Sequence, residues 1–149
     1  MQHRLPAAGI ARFPLLAEAQ WQLLRWLPFV GVALFSLVMS AMAPDGRRPF
    51  HFDWSLSVAA LEFSIVKTPH IAATAFLAVL AMFATGRQRW VLAFTLTVLV
   101  GWGWEFGQTT VIGHSARLSD LAPDALGAML GCAIGTLALS LLDSMPSRR

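Results

Sequence analysis

The chain has 149 residues, of which 56% are hydrophobic and 13% charged, and its formal net charge is +3. Soluble domains average about 25% charged residues, so this composition indicates one small domain whose solvent is a lipid bilayer. The basic residues cluster near the ends of apolar segments and are not interleaved with aromatic residues, which argues against nucleic-acid binding.

The N-terminal region, residues 1–25, is interpreted as a cytoplasmic lead-in to the membrane. The first span is predicted over about residues 26–43, with Pro28 in its first turn, where a missing N–H costs little. The small residues at 41–43 also suit a signal-peptide cleavage site. The long basic region before the segment and Pro44 directly after it favour an uncleaved span.

An outer loop is predicted over residues 44–66. From Phe50 to Val58 apolar and polar residues alternate as in a strand, whereas Trp54, Val58, Leu61 and Ile65 share one face of a helix. Because a lone strand would leave unpaired edges, we expect an amphipathic segment on the outer interface. The charged residues of this segment are interpreted as solvated loop positions: His51, Asp53 and Glu62.

Three further spans are predicted over about residues 69–85, 90–106 and 121–142, followed by a tail at 143–149. The membrane domain therefore covers 26–142, and the fold class is an all-α integral membrane bundle of four transmembrane helices. Seven of the 11 lysines and arginines fall on the side of the N-terminus. This excess predicts a multi-pass protein with both ends in the cytoplasm.

Polar residues of three spans are predicted at one depth. Counted from the inner helix ends at about 1.5 Å per residue, His70 lies about 24 Å up its span, Glu105 about 27 Å and Asp124 about 28 Å. The hydrocarbon core is about 30 Å thick, so these positions lie just under the outer surface. Helical spacings of three and four predict a polar ligand pocket open to the outside, lined by Lys67, His70, Glu105, Gln108, Arg117, Asp120 and Asp124.

The last span carries a stripe of small residues, Gly127, Gly131 and Gly135, which predicts close helix packing in lipid. Cys132 lies in the same apolar run and is expected to be a buried small hydrophobe. The tryptophans are interpreted as anchors at the membrane interface.

Four short motifs occur in order: Lys67-Thr-Pro-His70, Glu105-Phe-Gly-Gln108, Arg117-Leu-Ser-Asp120 and Asp124-Ala-Leu-Gly127 with Gly131. Over about residues 67–135 this arrangement resembles the VanZ family, small membrane proteins named after a teicoplanin-resistance protein. The resemblance implies a multi-span inner-membrane protein, linked in some members to glycopeptide resistance, without an established enzymatic mechanism. The chain departs from the family pattern of Asp, Gly and Asn at Val66, Ala116 and Asp124.

The polar cluster admits several interpretations. It suits a structural ion network in which Arg117 bridges two carboxylates, or a head-group site in which Lys67 and Arg117 meet an anion. Glu105, Asp120 and Asp124 together would suit a hard cation, and crowded carboxylates would suit acid–base catalysis. The spacing of His70 and His114 is not diagnostic of zinc, and no nucleophile motif is present, so no metal, cofactor or catalytic residue is assigned.

The leading functional hypothesis is a non-enzymatic protein that binds or shields an envelope component or an amphipathic, glycopeptide-type molecule at the outer leaflet. A second hypothesis is an accessory subunit that docks by its glycine face against a larger membrane complex. A third is a small enzyme that modifies an envelope lipid or glycan.

Overall fold

Five α-helices form the protein in the computed structural model, which describes residues 13–145. Four of them are long and apolar enough to cross a membrane, and together they form a helical bundle. The predicted fold class, an all-α membrane bundle with four spans, is confirmed, and the chain is a multi-pass membrane protein. The helices are α1 (Phe13–Ser40), α2 (Val58–Ile65), α3 (Thr68–Thr85), α4 (Trp90–Gln108) and α5 (Leu121–Ser144).

Helix α1 differs from its predicted span of 26–43. It begins at Phe13, and the part of it that is apolar enough to cross a membrane is Gln20–Ser40. Arg25, which the sequence placed in the cytoplasmic lead-in, is therefore part of this helix. The expectation that Pro28 lies in the first turn is wrong, because nothing between residues 15 and 27 breaks the helix before it. Pro28 therefore lies inside α1 and leaves the Leu24 carbonyl without its helical amide partner. Residues 1–12 of the predicted lead-in and residues 146–149 of the tail lie outside the described residues.

A tight turn joins α3 to α4. Gly86 closes α3 with φ of 84°, a left-handed conformation that favours glycine, and a single 3₁₀ turn over Arg87–Arg89 leads into α4. We call this end of the bundle, residues 86–89, the turn end. The opposite end, residues 41–57 and 109–117, is the loop end.

Helices α3 and α5 pack closely through the glycine stripe of α5. A Cβ atom on any of these glycines would come within 3.0 Å of an atom of α3. The glycines and their nearest α3 residues are Gly127 at Ile71 and Thr74, Gly131 at Ala75 and Ala78, and Gly135 at Met82. The proposed docking of another membrane protein on this face is therefore wrong, because α3 already covers it. Cys132 is buried beside the stripe, as predicted.

The two loops of the loop end are joined by backbone hydrogen bonds. The amide of Arg48 donates to the carbonyl of Thr110 at 2.8 Å. The amide of Asp53 donates to the carbonyl of Ala116 at 3.0 Å, and the amide of Leu118 donates to the carbonyl of Asp53 at 2.9 Å. The alternating stretch before α2 is thus extended, and the helical face predicted to begin at Trp54 starts only at Val58. Unpaired backbone groups argued against a strand here, but the second loop pairs the amides of His51 and Asp53 and the carbonyl of Asp53.

Candidate functional site

An ion pair connects the beginnings of α3 and α5. Lys67 Nζ donates to Asp120 Oδ2 at 2.6 Å. Ser64 of α2 donates to the other carboxylate oxygen, Oδ1, also at 2.6 Å. Because that bond uses the only hydroxyl hydrogen of Ser64, Ser119 donates to Ser64 Oγ at 2.9 Å. Asp120 is only 1% exposed, so both of its oxygens are served from within the protein.

A second buried carboxylate orients a histidine ring. Nδ1 of His70 donates to Asp124 Oδ1 at 3.0 Å, and Asp124 is fully buried. The imidazole also makes a T-shaped contact with the Trp104 indole, with ring centroids 6.0 Å apart. The second oxygen, Asp124 Oδ2, lies against Gly101 of α4 and has no hydrogen-bond partner among the described residues. The ring of His70 is therefore held by α5 and α4 while belonging to α3.

Glu105, the third buried carboxylate, accepts a hydrogen bond from a backbone amide rather than from a cationic side chain. Its Oε2 accepts the amide hydrogen of Arg117 at 2.8 Å, and its Oε1 is unpartnered within the described residues. The guanidinium of Arg117 points elsewhere: its Nε is 4.0 Å from Asp53 Oδ2, and its Cζ lies 5.0 Å from the centre of the Phe63 ring.

The predicted bridge from Arg117 to two buried carboxylates is therefore wrong. Arg117 is in extended conformation and pairs with Asp53 in the neighbouring loop, so its amide faces Glu105 while its side chain lies along the loop end. Asp53, interpreted from the sequence as a solvated loop charge, is in fact part of this contact between loops.

The seven predicted ligand residues do not form one open pocket. Glu105, Asp120 and Asp124 are buried within the bundle, where they join helices and not a cavity open to the outside. A groove of about 440 Å³ takes in two of the seven, His70 and Gln108. The predicted pocket thus separates into a buried ionic network and a groove beside it.

The groove lies between α1, α3 and α4. Trp104 is 7% exposed and its Nε1 donates to Ser36 Oγ at 2.9 Å, so this tryptophan is not the interface anchor that the sequence suggested. Helix α1 can approach α4 here because Gly103 and Gly107 leave room for Leu37 and Ser40. The lining residues are Phe35, Ser36, Met39, Ser40, Pro69, His70, Ala73, Trp104 and Gln108.

The cluster does not have the geometry of a metal site. Among residues 13–145 no group of three or more histidine, cysteine, aspartate or glutamate side chains is arranged to hold a metal ion. Asp120 is neutralised by Lys67, Asp124 is bonded to His70, and Glu105 faces a backbone amide. The hard-cation interpretation is therefore wrong.

Sequence reasoning missed three residues of this region: Ser64, Gly101 and Trp104. Gly101 precedes Glu105 by four positions and shares its face of α4, so helical spacing alone could have drawn attention to it. Ser64 similarly lies three residues before Lys67. The role of Trp104 had no such signal, because its indole resembles the other interfacial tryptophans until α1 is placed beside it.

No family model, curated protein or solved structure matches this chain. The functional conclusion therefore depends on the groove and on the network beside it.

Proposed function

We propose that this protein is a non-enzymatic, VanZ-like membrane protein that binds an amphipathic molecule of the cell envelope in the groove between α1, α3 and α4. The lining of the groove carries the proposal, because it is itself amphipathic. Phe35 and Met39 offer apolar surface, while His70 and Gln108 offer hydrogen-bonding groups near the loop end. Ligand sites commonly combine an apolar wall with a few oriented polar groups.

The buried network supports this function by fixing one of those polar groups. Asp124 holds Nδ1 of His70, which leaves Nε2 of the ring for a ligand. The pair of Lys67 and Asp120 ties the start of α3 to the start of α5, so the backbone that carries His70 is held as well. In this proposal the carboxylates position the site and do not touch the ligand.

The ligand follows from the same lining. A molecule with an acyl chain would lie along the apolar wall and place its polar part beside His70, Gln108 and Ser40. The distribution of basic residues predicts that the loop end faces outward, which makes an outer-leaflet lipid or a lipid-bearing glycopeptide the class of molecule we propose.

A groove-filling variant tests the proposal. Ala73 lines the groove and its neighbour Ala72 is exposed on another side of α3, so Ala73→Trp and Ala72→Trp form a matched pair. The purified chain, in vesicles carrying a phospholipid with a photoreactive acyl chain, is irradiated and its labelled peptides are mapped. We expect labelling at Met39 and Gln108 to be lost in Ala73→Trp and kept in Ala72→Trp.

Equal labelling of the two variants would contradict binding in the groove. The glycopeptide class is tested separately by growing bacteria that express each variant in teicoplanin. Protection given by the unmodified chain and by Ala72→Trp, and lost in Ala73→Trp, would support that class.

A second candidate function, a small enzyme acting on an envelope lipid, is favoured by one observation. The bond from His70 to Asp124 is the arrangement by which a carboxylate orients a histidine as a general base. Turnover of a lipid-linked sugar phosphate by the pure protein, lost in His70→Gln and reduced in Asp124→Asn, would support the enzyme. Groove labelling without turnover would support binding alone.

A further inference from the structure

A second cavity, of about 560 Å³, lies at the turn end, opposite the groove's polar end. It is lined by α1, by the turn between α3 and α4, and by the last turns of α5. Its charged residues are Arg25 from α1, Arg87 and Arg89 from the turn, and Asp143 from α5. Three arginines and one aspartate therefore line a single cavity.

Among the side chains that the structure describes, those of residues 20–145, these arginines form no ion pair. No carboxylate oxygen of these residues, Asp143 included, lies within 4.0 Å of any of the three guanidinium groups. Arg87 donates from Nη1 to Ser140 Oγ at 3.1 Å, which fixes it against α5 but uses only one of its donors. The cavity thus carries positive charge and free hydrogen-bond donors.

The position of the cavity identifies the chemistry it would meet. Helix α3 ends at Thr85 and α4 begins at Trp90, so the turn lies where two membrane-crossing helices leave the bilayer. Trp26 and Leu139 add apolar lining beside the arginines. Basic pockets between transmembrane helices at this level bind lipid phosphates, and the planar guanidinium matches a phosphate in bidentate geometry.

We infer that the cavity at the turn end binds a phosphate group carried by an anionic phospholipid, with Arg25, Arg87 and Arg89 as its ligands. Free phosphate shares the charge and hydrogen-bond chemistry, but it would leave the apolar lining by Trp26 and Leu139 unused. A glycerophosphate head group uses both. This site is separate from the groove and does not depend on the function proposed for it.

The inference is tested with the full-length purified protein in detergent. Bound lipids are counted by native mass spectrometry during titration with phosphatidylglycerol, with phosphatidylcholine, and with inorganic phosphate. The variants are Arg25→Gln, Arg87→Gln and Arg89→Gln. Arg47→Gln, at the loop end, is the control because it removes the same charge far from the cavity. Helical circular dichroism and the thermal midpoint verify that each variant is folded.

We expect preference for phosphatidylglycerol over phosphatidylcholine to fall by about fivefold for each arginine removed from the cavity, and to be unchanged in Arg47→Gln. Equal loss in the control and the cavity variants would overturn the inference, since it would report only overall charge. Binding of inorganic phosphate with the same arginine dependence, without preference between the lipids, would overturn the lipid as the source of the phosphate.

Discussion

The carboxylate of Asp124 occupies the space that a side chain on Gly101 would need. A Cβ atom at position 101 would lie 2.8 Å from Asp124 Cγ, and closer still to Oδ2. The absence of a side chain on α4 therefore allows an aspartate of α5 to enter the bundle and reach His70 of α3. One glycine, one carboxylate and one imidazole therefore form the contact at which these three helices meet.

Replacement of this glycine tests the relationship. In Gly101→Ala the new methyl group displaces Asp124 from His70, and we expect a loss of about 1–3 kcal/mol in the free energy of unfolding, as in other overpacked cores. In an Asp124→Ala background the same replacement should cost much less, because the obstructing carboxylate is gone. Unfolding of the four variants in mixed micelles, followed by circular dichroism, measures both values. Equal costs in the two backgrounds would contradict the contact.

The glycine stripe predicts a cost that side-chain movement cannot relieve. A Cβ on Gly131 would meet the backbone carbonyl of Ala75, whereas Gly31 of α1 has no atom within 4 Å of its Cβ position. We expect Gly131→Ala to destabilise the bundle by about 1–3 kcal/mol. Gly31→Ala should be neutral or stabilising, since alanine is the better helix former. A similar loss in both variants would show that the α3–α5 contact is looser than described.

The pair of Lys67 and Asp120 is asymmetric, because the lysine side chain is 26% exposed and the aspartate only 1%. Lys67→Ala leaves a buried carboxylate without its cation, and we expect a loss of about 3 kcal/mol, at the lower end for a broken buried pair. Asp120→Ala should cost less, since the freed ammonium can turn to water. The double variant should recover part of the loss from Lys67→Ala. Chemical unfolding measures the loss in the free energy of unfolding for each variant. A larger loss in Asp120→Ala than in Lys67→Ala would contradict this account.

The extended part of the first loop offers a matched pair of phenylalanines. Phe52 is 7% exposed beneath the joined loops and Phe50 is 59% exposed. We expect Phe52→Ala to cost about 3–5 kcal/mol, the usual range for a core phenylalanine. Phe50→Ala should change the stability little. Hydrogen exchange at the amides of Arg48 and His51 should quicken only in Phe52→Ala; protection unaltered by that change would contradict the packing of the loops.

Asp53 gives the contact between loops a dependence on pH. Its carboxylate accepts the backbone amide of Ser55 at 3.0 Å, and this bond, followed by one from the Ser55 hydroxyl and then by Arg117, lowers the pKa of Asp53 below its ordinary value. Because the pKa is lower in the folded state, the contribution to stability is present above the unfolded pKa, about 3.9, and is lost as the pH falls through the folded value.

The titration of Asp53 by carbon NMR should therefore have its midpoint below that of a free aspartate. Replacement of Arg117 with leucine should raise the midpoint only slightly, since Ser55 supplies the larger effect. A midpoint at or above the free value would contradict the hydrogen bonds.

The sequence was sufficient for three of the four spans because their limits are marked by local chemistry. Pro69, Gly86 and Asp143 lie at or next to helix ends, and apolar residues fill the intervals between them. The same counting placed His70 and Asp124 at one depth, and the structure brings them into contact. Depth along a helix depends only on the rise per residue, so it can be read without knowledge of the neighbours.

The rotation of each helix about its own axis, and the partner that each side chain contacts, could not be predicted in that way. Whether Arg117 offers its side chain or its amide to Glu105 depends on the pairing of its backbone with Asp53, which is 64 positions away in another loop. The start of α1 was also missed, because a tryptophan and an arginine mark a membrane surface without ending a helix. These features depend on tertiary contacts, for which spacing along one helix carries no information.

The hydrogen bonds between residues 41–57 and 109–117 also have a mechanical consequence. They join the loop that follows α1 to the loop between α4 and α5 by several backbone hydrogen bonds, whereas the turn at residues 86–89 is bonded to α5 by the single hydrogen bond from Arg87 to Ser140. Relative displacement of the helices should therefore be smallest beside Arg48 and grow along their length, so the helices would separate most at the turn end. A covalent cross-link between helices at the turn end would therefore stiffen the bundle far more than a cross-link at the loop end.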